Sequence, residues 1–173
     1  TILYIDKLVI APLFGFAILG LYQFAFQLLI FLSMIPMSLI QYLLPQEASS
    51  IDRKNIKLFG IVLSAILSLL LFFIFPLVIE IYFKAYEDAI DAARIMAFGI
   101  IPMTLNAILN AEFLGRERSF ITMIGSLTYI ISLILLFLLL GNLLGLIGLA
   151  ISTLSAIILQ TIVLLFFKLR FKE

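Results

Sequence analysis

The chain has 173 residues, of which 65% are hydrophobic and only 12% are charged, and its formal net charge is +1. About a quarter of the residues of a soluble domain are charged, so we predict instead an integral membrane protein built of helices. The chain has no cysteine and no histidine, which removes the thiolate, the commonest general base and the commonest metal ligand. The sequence also lacks a nucleophile–base pair, a phosphate-binding loop and a metal-ligand cluster, so we expect no enzyme activity and no cofactor. We expect no nucleic-acid partner either.

Apolar runs of about 20 residues, the length that crosses a bilayer as a helix, recur along the chain. We predict a partial span over residues 1–14 and five full spans over residues 21–44, 58–83, 95–113, 120–140 and 146–167. The chain begins at Thr1 close to an apolar run, so we expect it to be part of a longer polypeptide.

The boundary between the first two elements follows from length. As one helix, the apolar run 8–44 would be about 55 Å long, which is too long for a hydrocarbon core of about 30 Å. Pro12, Gly15 and Gly20 offer a break in this run. Pro36 lies inside the following span and should kink it.

Small residues at four-residue spacing indicate close helix packing in two spans. They are Gly60, Ser64 and Ser68 in the span 58–83, and Gly148, Ser152 and Ala156 in the last span. Pro102, Asn106 and Asn110 share a stripe of the same spacing. Because proline loosens a helix, the two carboxamides after it could form a cavity wall, although interhelical hydrogen bonding would explain them equally well.

Basic loops alternate with loops that lack an excess of basic residues. Lysine and arginine lie in the polar loop 46–57, in the loop 115–118 and in the C-terminal tail, whereas the turns 15–20 and 141–145 have none and the polar loop 84–94 is acid-balanced. Cytoplasmic loops are enriched in Lys and Arg. We therefore predict a multi-pass protein of the cytoplasmic membrane, with the basic loops and the C-terminus in the cytoplasm.

The candidate substrate-binding residues are the polar groups in or near the spans. They are Asp6, Tyr22, Gln23, Gln27, Asn106 and Asn110. Each has a structural alternative, since Asp6 could pair with Lys7 and the carboxamides could hydrogen-bond between helices. For Gln160 we favour the interhelical bond. Glu80 and Glu112 lie at the ends of their spans, where we expect them to be solvated.

The order of several residues resembles a known family. Asp6, Gly20-Leu21-Tyr22, Ala25, Pro36 and Pro45 are similar to the opening of the C-terminal half of the polysaccharide-type flippases, which are lipid-linked oligosaccharide exporters of the MATE-like (multidrug/oligosaccharidyl-lipid/polysaccharide) superfamily. Ala93-Arg94-Ile95 through Pro102 to Leu114-Gly115-Arg116 is similar too, as is the run from Gly145 to Ser152. The resemblance covers most of the chain.

The resemblance implies two helical lobes around a cavity that opens alternately to each side of the membrane. This chain would be the C-terminal lobe of such a two-lobed transporter, with Asp6 and Tyr22 near the cavity. Its implied partners are a lipid-linked oligosaccharide substrate, the lipid bilayer and the N-terminal lobe of the same protein. Two other functions stay open: a multidrug or small-solute antiporter of the same fold, which needs an embedded carboxylate, and a membrane scaffold subunit that transports nothing.

Overall fold

The computed structural model describes the backbone of residues 5–48 and 54–170 and the side chains of residues 10–38, 41 and 54–170. All regular structure within these ranges is helical, so the all-α prediction is confirmed for them. The elements are α1 (Ile5–Ala48), α2 (Lys54–Phe73), α3 (Phe75–Tyr82), a 3₁₀ segment (Lys84–Ala89), α4 (Ile90–Ala97), α5 (Ile100–Gly115), α6 (Ser119–Leu136), a π-helical segment (Phe137–Gly141) and α7 (Asn142–Arg170).

The first helix, α1, joins the predicted partial span to the full span that follows it. Within α1 only Gly15 departs from helical geometry, with φ 82° and ψ 168°. Glycine adopts a positive φ without the steric cost that a Cβ imposes. The break predicted between Pro12 and Gly20 therefore lies at Gly15. Pro36 is buried and keeps helical backbone angles.

A proline divides the predicted span 58–83. α2 ends at Phe73 and α3 begins at Phe75, with Pro76 in the first turn of α3. Proline has no N–H to bond to the carbonyl one turn back, and its ring collides with that carbonyl. The helix therefore breaks at Ile74, just before the proline.

The polar loop predicted over residues 84–94 is helical instead. Its first part forms the 3₁₀ segment, and α4 begins at Ile90. In α4 Asp91 is exposed. The buried residues of α4 are Ala92, Ala93, Met96 and Ala97. This separation of polar and apolar faces stabilises a helix. The number of charged residues in this stretch had led us to predict a loop.

The predicted span 95–113 is likewise interrupted near its start. The helical segments on either side of Phe98–Gly99 are bent by 44°. Pro102 cannot donate to the Phe98 carbonyl, and the Gly99 N–H bonds instead to the Met96 carbonyl at 2.7 Å. The bend thus has the same cause as the break at Ile74.

α6 and α7 fold back on each other as a hairpin. A Cβ added to Gly125 would lie 2.8 Å from Leu164 Cδ2, and one added to Gly148 would meet the Leu140 carbonyl. The two residues of each contact lie on either side of Gly145 in the sequence. Gly145 itself has φ 57° and ψ −131°. Only glycine adopts this region without strain, so the uncharged turn predicted at 141–145 is where the chain reverses.

Three helical segments are long and apolar enough to cross a membrane: Ile10–Ser38, Lys54–Phe73 and Ser119–Arg170. A fourth is the bent pair Lys84–Ala97 and Ile100–Gly115, if the pair counts as one span. Large apolar side chains cover the outside, including Phe16, Phe31, Phe73 and Leu143. Such a surface suits lipid rather than water, and these features together support a membrane protein.

Several helix ends meet at one end of the bundle. Lys57 in the first turn of α2 and Lys168 in the last turn of α7 both contact Glu112 in the last turn of α5. We call this region the basic end, and the part of the bundle that holds the α3–α4 connection and the α6–α7 turn the opposite end. The basic end also carries Arg116, Arg118 and Arg170. These contacts bring the start of α2, the end of α5 and the end of α7 together, and the side of the membrane that this end faces stays a prediction.

Candidate functional site

A partly open cavity of about 270 Å³ lies between α1, α5, α6 and α7. Its lining residues are Phe26, Met37, Met103, Asn106, Ala107, Asn110, Ser126, Tyr129, Ile157 and Gln160. We call it the carboxamide cavity, because three of its polar side chains are the amides of Asn106, Asn110 and Gln160. The rest of the wall is mostly apolar, so these few polar groups set the chemistry of the space.

Asn106 is the best-fixed polar residue of the carboxamide cavity. It is 6% exposed, and its Nδ2 donates to the Ile157 carbonyl and to Gln160 Oε1, both at 3.2 Å. Turning the amide over would place Oδ1 against the Ile157 carbonyl, an acceptor facing an acceptor. The two bonds therefore fix the orientation of the amide and leave Oδ1 buried without a hydrogen-bond partner among the described residues.

Asn110 and Ser126 provide further hydrogen-bond acceptors near Asn106. Asn110 lies one turn further along α5, and its Oδ1 is also buried without a partner in the described part of the chain. Across the cavity, the Ser126 hydroxyl donates to the Thr122 carbonyl at 3.1 Å. That bond uses the proton of Ser126 and leaves its lone pairs as acceptors. The two amide oxygens are acceptors for which the described part of the chain supplies no donor.

Two helices position the amides. Asn106 and Asn110 follow Pro102 at four-residue spacing, so all three residues lie along one face of α5. On α7 the stripe Gly148, Ser152 and Ala156 is buried, as expected. This stripe ends in half-buried Gln160, whose bond to Asn106 is the interhelical bond predicted for it. Small side chains let α7 approach closely enough for that bond to form.

Tyr22 lies behind the cavity wall rather than in it. It is fully buried, and its hydroxyl shares a hydrogen bond of 3.0 Å with Thr153 Oγ1. Its ring stacks on Phe26 and meets Phe137 edge-on, both at 5.7 Å between centroids. Because Phe26 lines the cavity, Tyr22 supports that side chain from behind.

The remaining candidates lie elsewhere. Gln23 is half-buried and Gln27 is exposed, and neither lines the carboxamide cavity. Asp6 belongs to α1, and its side chain lies outside the described residues. The structure thus brings together Asn106 and Asn110 from the predicted set, and adds Gln160, Ser126 and Tyr129.

Glu112 differs from its prediction, because it is buried rather than solvated. The residue is 8% exposed. Its Oε1 accepts from Lys57 Nζ at 2.7 Å, and its Oε2 contacts Lys168 Nζ at 2.6 Å. A carboxylate withdrawn from water is retained where ammonium groups compensate its charge. The sequence does show lysines near the ends of two other apolar runs. It does not show that these lysines pair with Glu112.

Comparison of the chain with protein-family models, curated proteins and solved structures gives no match. The resemblance to polysaccharide-type flippases therefore stays a hypothesis.

Proposed function

We propose that this chain is part of a transporter that moves lipid-linked oligosaccharide precursors across the cytoplasmic membrane by alternating access. The observation that supports the proposal most directly is that Asn106 and Asn110, which line the carboxamide cavity, each have a buried amide oxygen with no hydrogen-bond partner among the described residues. They lie within a bundle whose helices are long and apolar enough to span a membrane. The residue-order resemblance supplies the substrate class.

The physical need for such a cavity follows from desolvation. A sugar carries many hydroxyl groups, and each one that loses water without a replacement partner costs several kcal/mol. Amide and hydroxyl oxygens can accept those protons. They carry no net charge, so they bind without the strong attraction that would slow release. Asn106, Asn110 and Ser126 present such acceptors.

Alternating access requires the lobe to move as one body against its partner lobe. The buried stripes Gly60, Ser64, Ser68 on α2 and Gly148, Ser152, Ala156 on α7 allow tight packing inside the lobe. The hydrogen bond between Tyr22 and Thr153 ties α1 to α7. We propose that these contacts keep the cavity wall rigid while a second lobe, which the family resemblance implies, closes over it.

The antiporter alternative needs an embedded carboxylate that is able to bind a cation. Glu112 is the buried carboxylate among the described side chains, and both of its oxygens already contact lysine ammonium groups. It therefore offers no ready cation site. The scaffold alternative is favoured by the bond between Asn106 and Gln160, which would join two helices whether or not a ligand binds.

The decisive experiment separates ligand binding from packing. Asn110→Leu removes an unpartnered oxygen and breaks none of the hydrogen bonds described above. In cells that depend on the full-length protein for surface-polysaccharide export, we expect export to fall about 2- to 10-fold at unchanged protein level, the loss that one hydrogen bond of about 0.5–1.5 kcal/mol represents. Asn55→Leu is the matched control, because Asn55 is exposed in the first turn of α2.

The outcome that would contradict the proposal is unchanged export in both Asn110→Leu and Asn106→Leu. The amides would then be packing groups, and the scaffold function would be favoured. Loss of export together with a new dependence on an imposed Na⁺ or proton gradient would favour the antiporter.

A further inference from the structure

The ion cluster of Lys57, Glu112 and Lys168 at the basic end includes one cation that is accessible from outside the bundle. One carboxylate, Glu112, is shared by two ammonium groups that come from different helices. The side chains of Glu112 and Lys57 are 10% and 14% exposed, whereas that of Lys168 is 41% exposed. Lys168 is therefore the member of the cluster that an outside ligand can reach.

Lys168 has bonding capacity left over. An ammonium group carries three N–H donors, and the described partner of Lys168 is one carboxylate oxygen, Glu112 Oε2. That carboxylate also neutralises Lys57, so it supplies Lys168 with less than a full counter-charge. Arg170, half a turn further along α7 and so on its opposite face, is also exposed, as is Arg116 where α5 ends. These side chains add positive charge to the basic end, which attracts anions.

The surroundings of the cluster are apolar. Leu58 directly follows Lys57 and is 61% exposed, and Leu169 directly follows Lys168 and is 70% exposed. Phe59 and Phe166 are also exposed within one turn of them. A cationic group beside exposed apolar side chains at a helix end matches an amphiphile with an anionic head and hydrocarbon tails.

We propose that the basic end holds the phosphate of an anionic phospholipid on Lys168, with its acyl chains against Leu169 and Leu58. The lipid phosphate and Glu112 compete for the same ammonium group. A bound lipid would thereby loosen the link between α7 and α5. The proposal is independent of the transport function and of the carboxamide cavity.

The test measures thermal unfolding of the purified full-length protein in a neutral detergent, with and without added lipid. We expect phosphatidylglycerol to raise the Tm more than phosphatidylcholine does. In Lys168→Gln this difference should fall by about half or more, because the ammonium group that attracts the anionic lipid is removed. Lys84→Gln is the matched control, since Lys84 is exposed at the opposite end, and it should keep the wild-type difference.

We expect Glu112→Gln to change the phosphatidylglycerol-dependent rise in Tm in the direction opposite to Lys168→Gln. Removing the competing negative charge should enlarge the phosphatidylglycerol-dependent rise even though the Tm without lipid falls. A purely structural cluster would lower the Tm without lipid and leave the lipid-dependent rise unchanged in both variants, which overturns the proposal. A rise produced equally by inorganic phosphate would overturn the lipid as the ligand. If Lys168→Gln does not fold, the sign of the Glu112→Gln effect decides alone.

Discussion

At the scale of single residues, similar positions in the sequence have different environments in the structure. Glu80 and Glu112 both lie towards the end of an apolar run, and both were expected to be solvated. Glu80 is exposed on α3, whereas Glu112 is buried between two lysines from other helices. The position of a residue within an apolar run cannot distinguish these two glutamates. The difference in their burial comes from side chains of other helices, which contact Glu112.

This contrast gives a stability prediction. Glu112→Ala leaves two ammonium groups facing each other without their carboxylate, and removing one partner of a buried pair costs about 3–5 kcal/mol. Glu80→Ala should change the unfolding free energy by no more than about 0.5 kcal/mol, as is usual for surface substitutions. Unfolding of the two variants in mixed micelles measures the difference. Equal stability of the two would mean that the cluster contributes nothing.

A second residue-scale prediction concerns Tyr22. Tyr22→Phe removes only the hydroxyl that bonds to Thr153, and Thr153 keeps its bond to the Leu149 carbonyl. We expect a loss of about 0.6 kcal/mol, the mean for interhelical hydrogen bonds in a membrane protein. The same assay with Tyr82→Phe, an exposed tyrosine, provides the control and should show no loss. A loss of similar size in both variants would argue against the Thr153 bond.

At the scale of elements, the breaks in the helices have local causes. Pro76 and Pro102 follow the ends of α2 and α4 by three and five residues, and each removes an N–H donor from the helix. Gly15 and Gly145 instead allow positive φ. The breaks therefore fall at or near prolines and at glycines with a positive φ. The length of an apolar run did not predict how many helical segments the run would form.

The glycine turn gives an element-scale prediction with a close control. A Cβ at Gly145 or at Gly20 would meet nothing within 4 Å, but only Gly145 has a positive φ. Gly145→Ala should therefore cost about 1–3 kcal/mol of backbone strain, whereas Gly20→Ala should be neutral or stabilising because alanine favours a helix. Thermal unfolding of both variants measures this. Equal destabilisation would show that the conformation of Gly145 is not special.

At the scale of the whole molecule, contacts between distant residues fix the arrangement of the helices. Residues 57, 112 and 168 meet at the basic end. At the other end, Phe14 approaches Gly141, with 2.6 Å between Phe14 Cζ and a Cβ added to Gly141. The α6–α7 hairpin lies between the two ends. We expect the basic end to face the cytoplasm, in line with the enrichment of Lys and Arg in cytoplasmic loops.

This arrangement predicts which sites a reagent reaches from each side of the membrane. The chain has no cysteine, so single cysteines can be introduced at exposed positions without a background signal. We expect Ser119→Cys, at the basic end, to react with a membrane-impermeant maleimide only after the membrane is opened. Asn142→Cys, in the hairpin turn, should react in intact cells. Labelling of both residues from the same side would be incompatible with the hairpin crossing the membrane.

Sequence alone determined the properties that depend on neighbours along the chain. Apolar length indicated membrane-spanning helices, the glycines marked the break in α1 and the turn at Gly145 within α7, and the small-residue stripes indicated buried faces. The carboxamides of Asn106 and Asn110 were identified by their spacing after Pro102. These features are local, because backbone angles and helix faces follow from residues a few positions apart.

Only the tertiary structure decided which polar groups meet. Asn106 reaches a carbonyl and an amide more than fifty residues away on α7, which leaves its oxygen buried and without a partner among the described residues. Glu112 is buried because lysines from two other helices reach it, and Tyr22 belongs to the support behind the cavity because Thr153 and Phe137 lie beside it. The physical reason is that burial and hydrogen bonding in a helical bundle depend on the relative positions of helix faces, which local spacing does not contain.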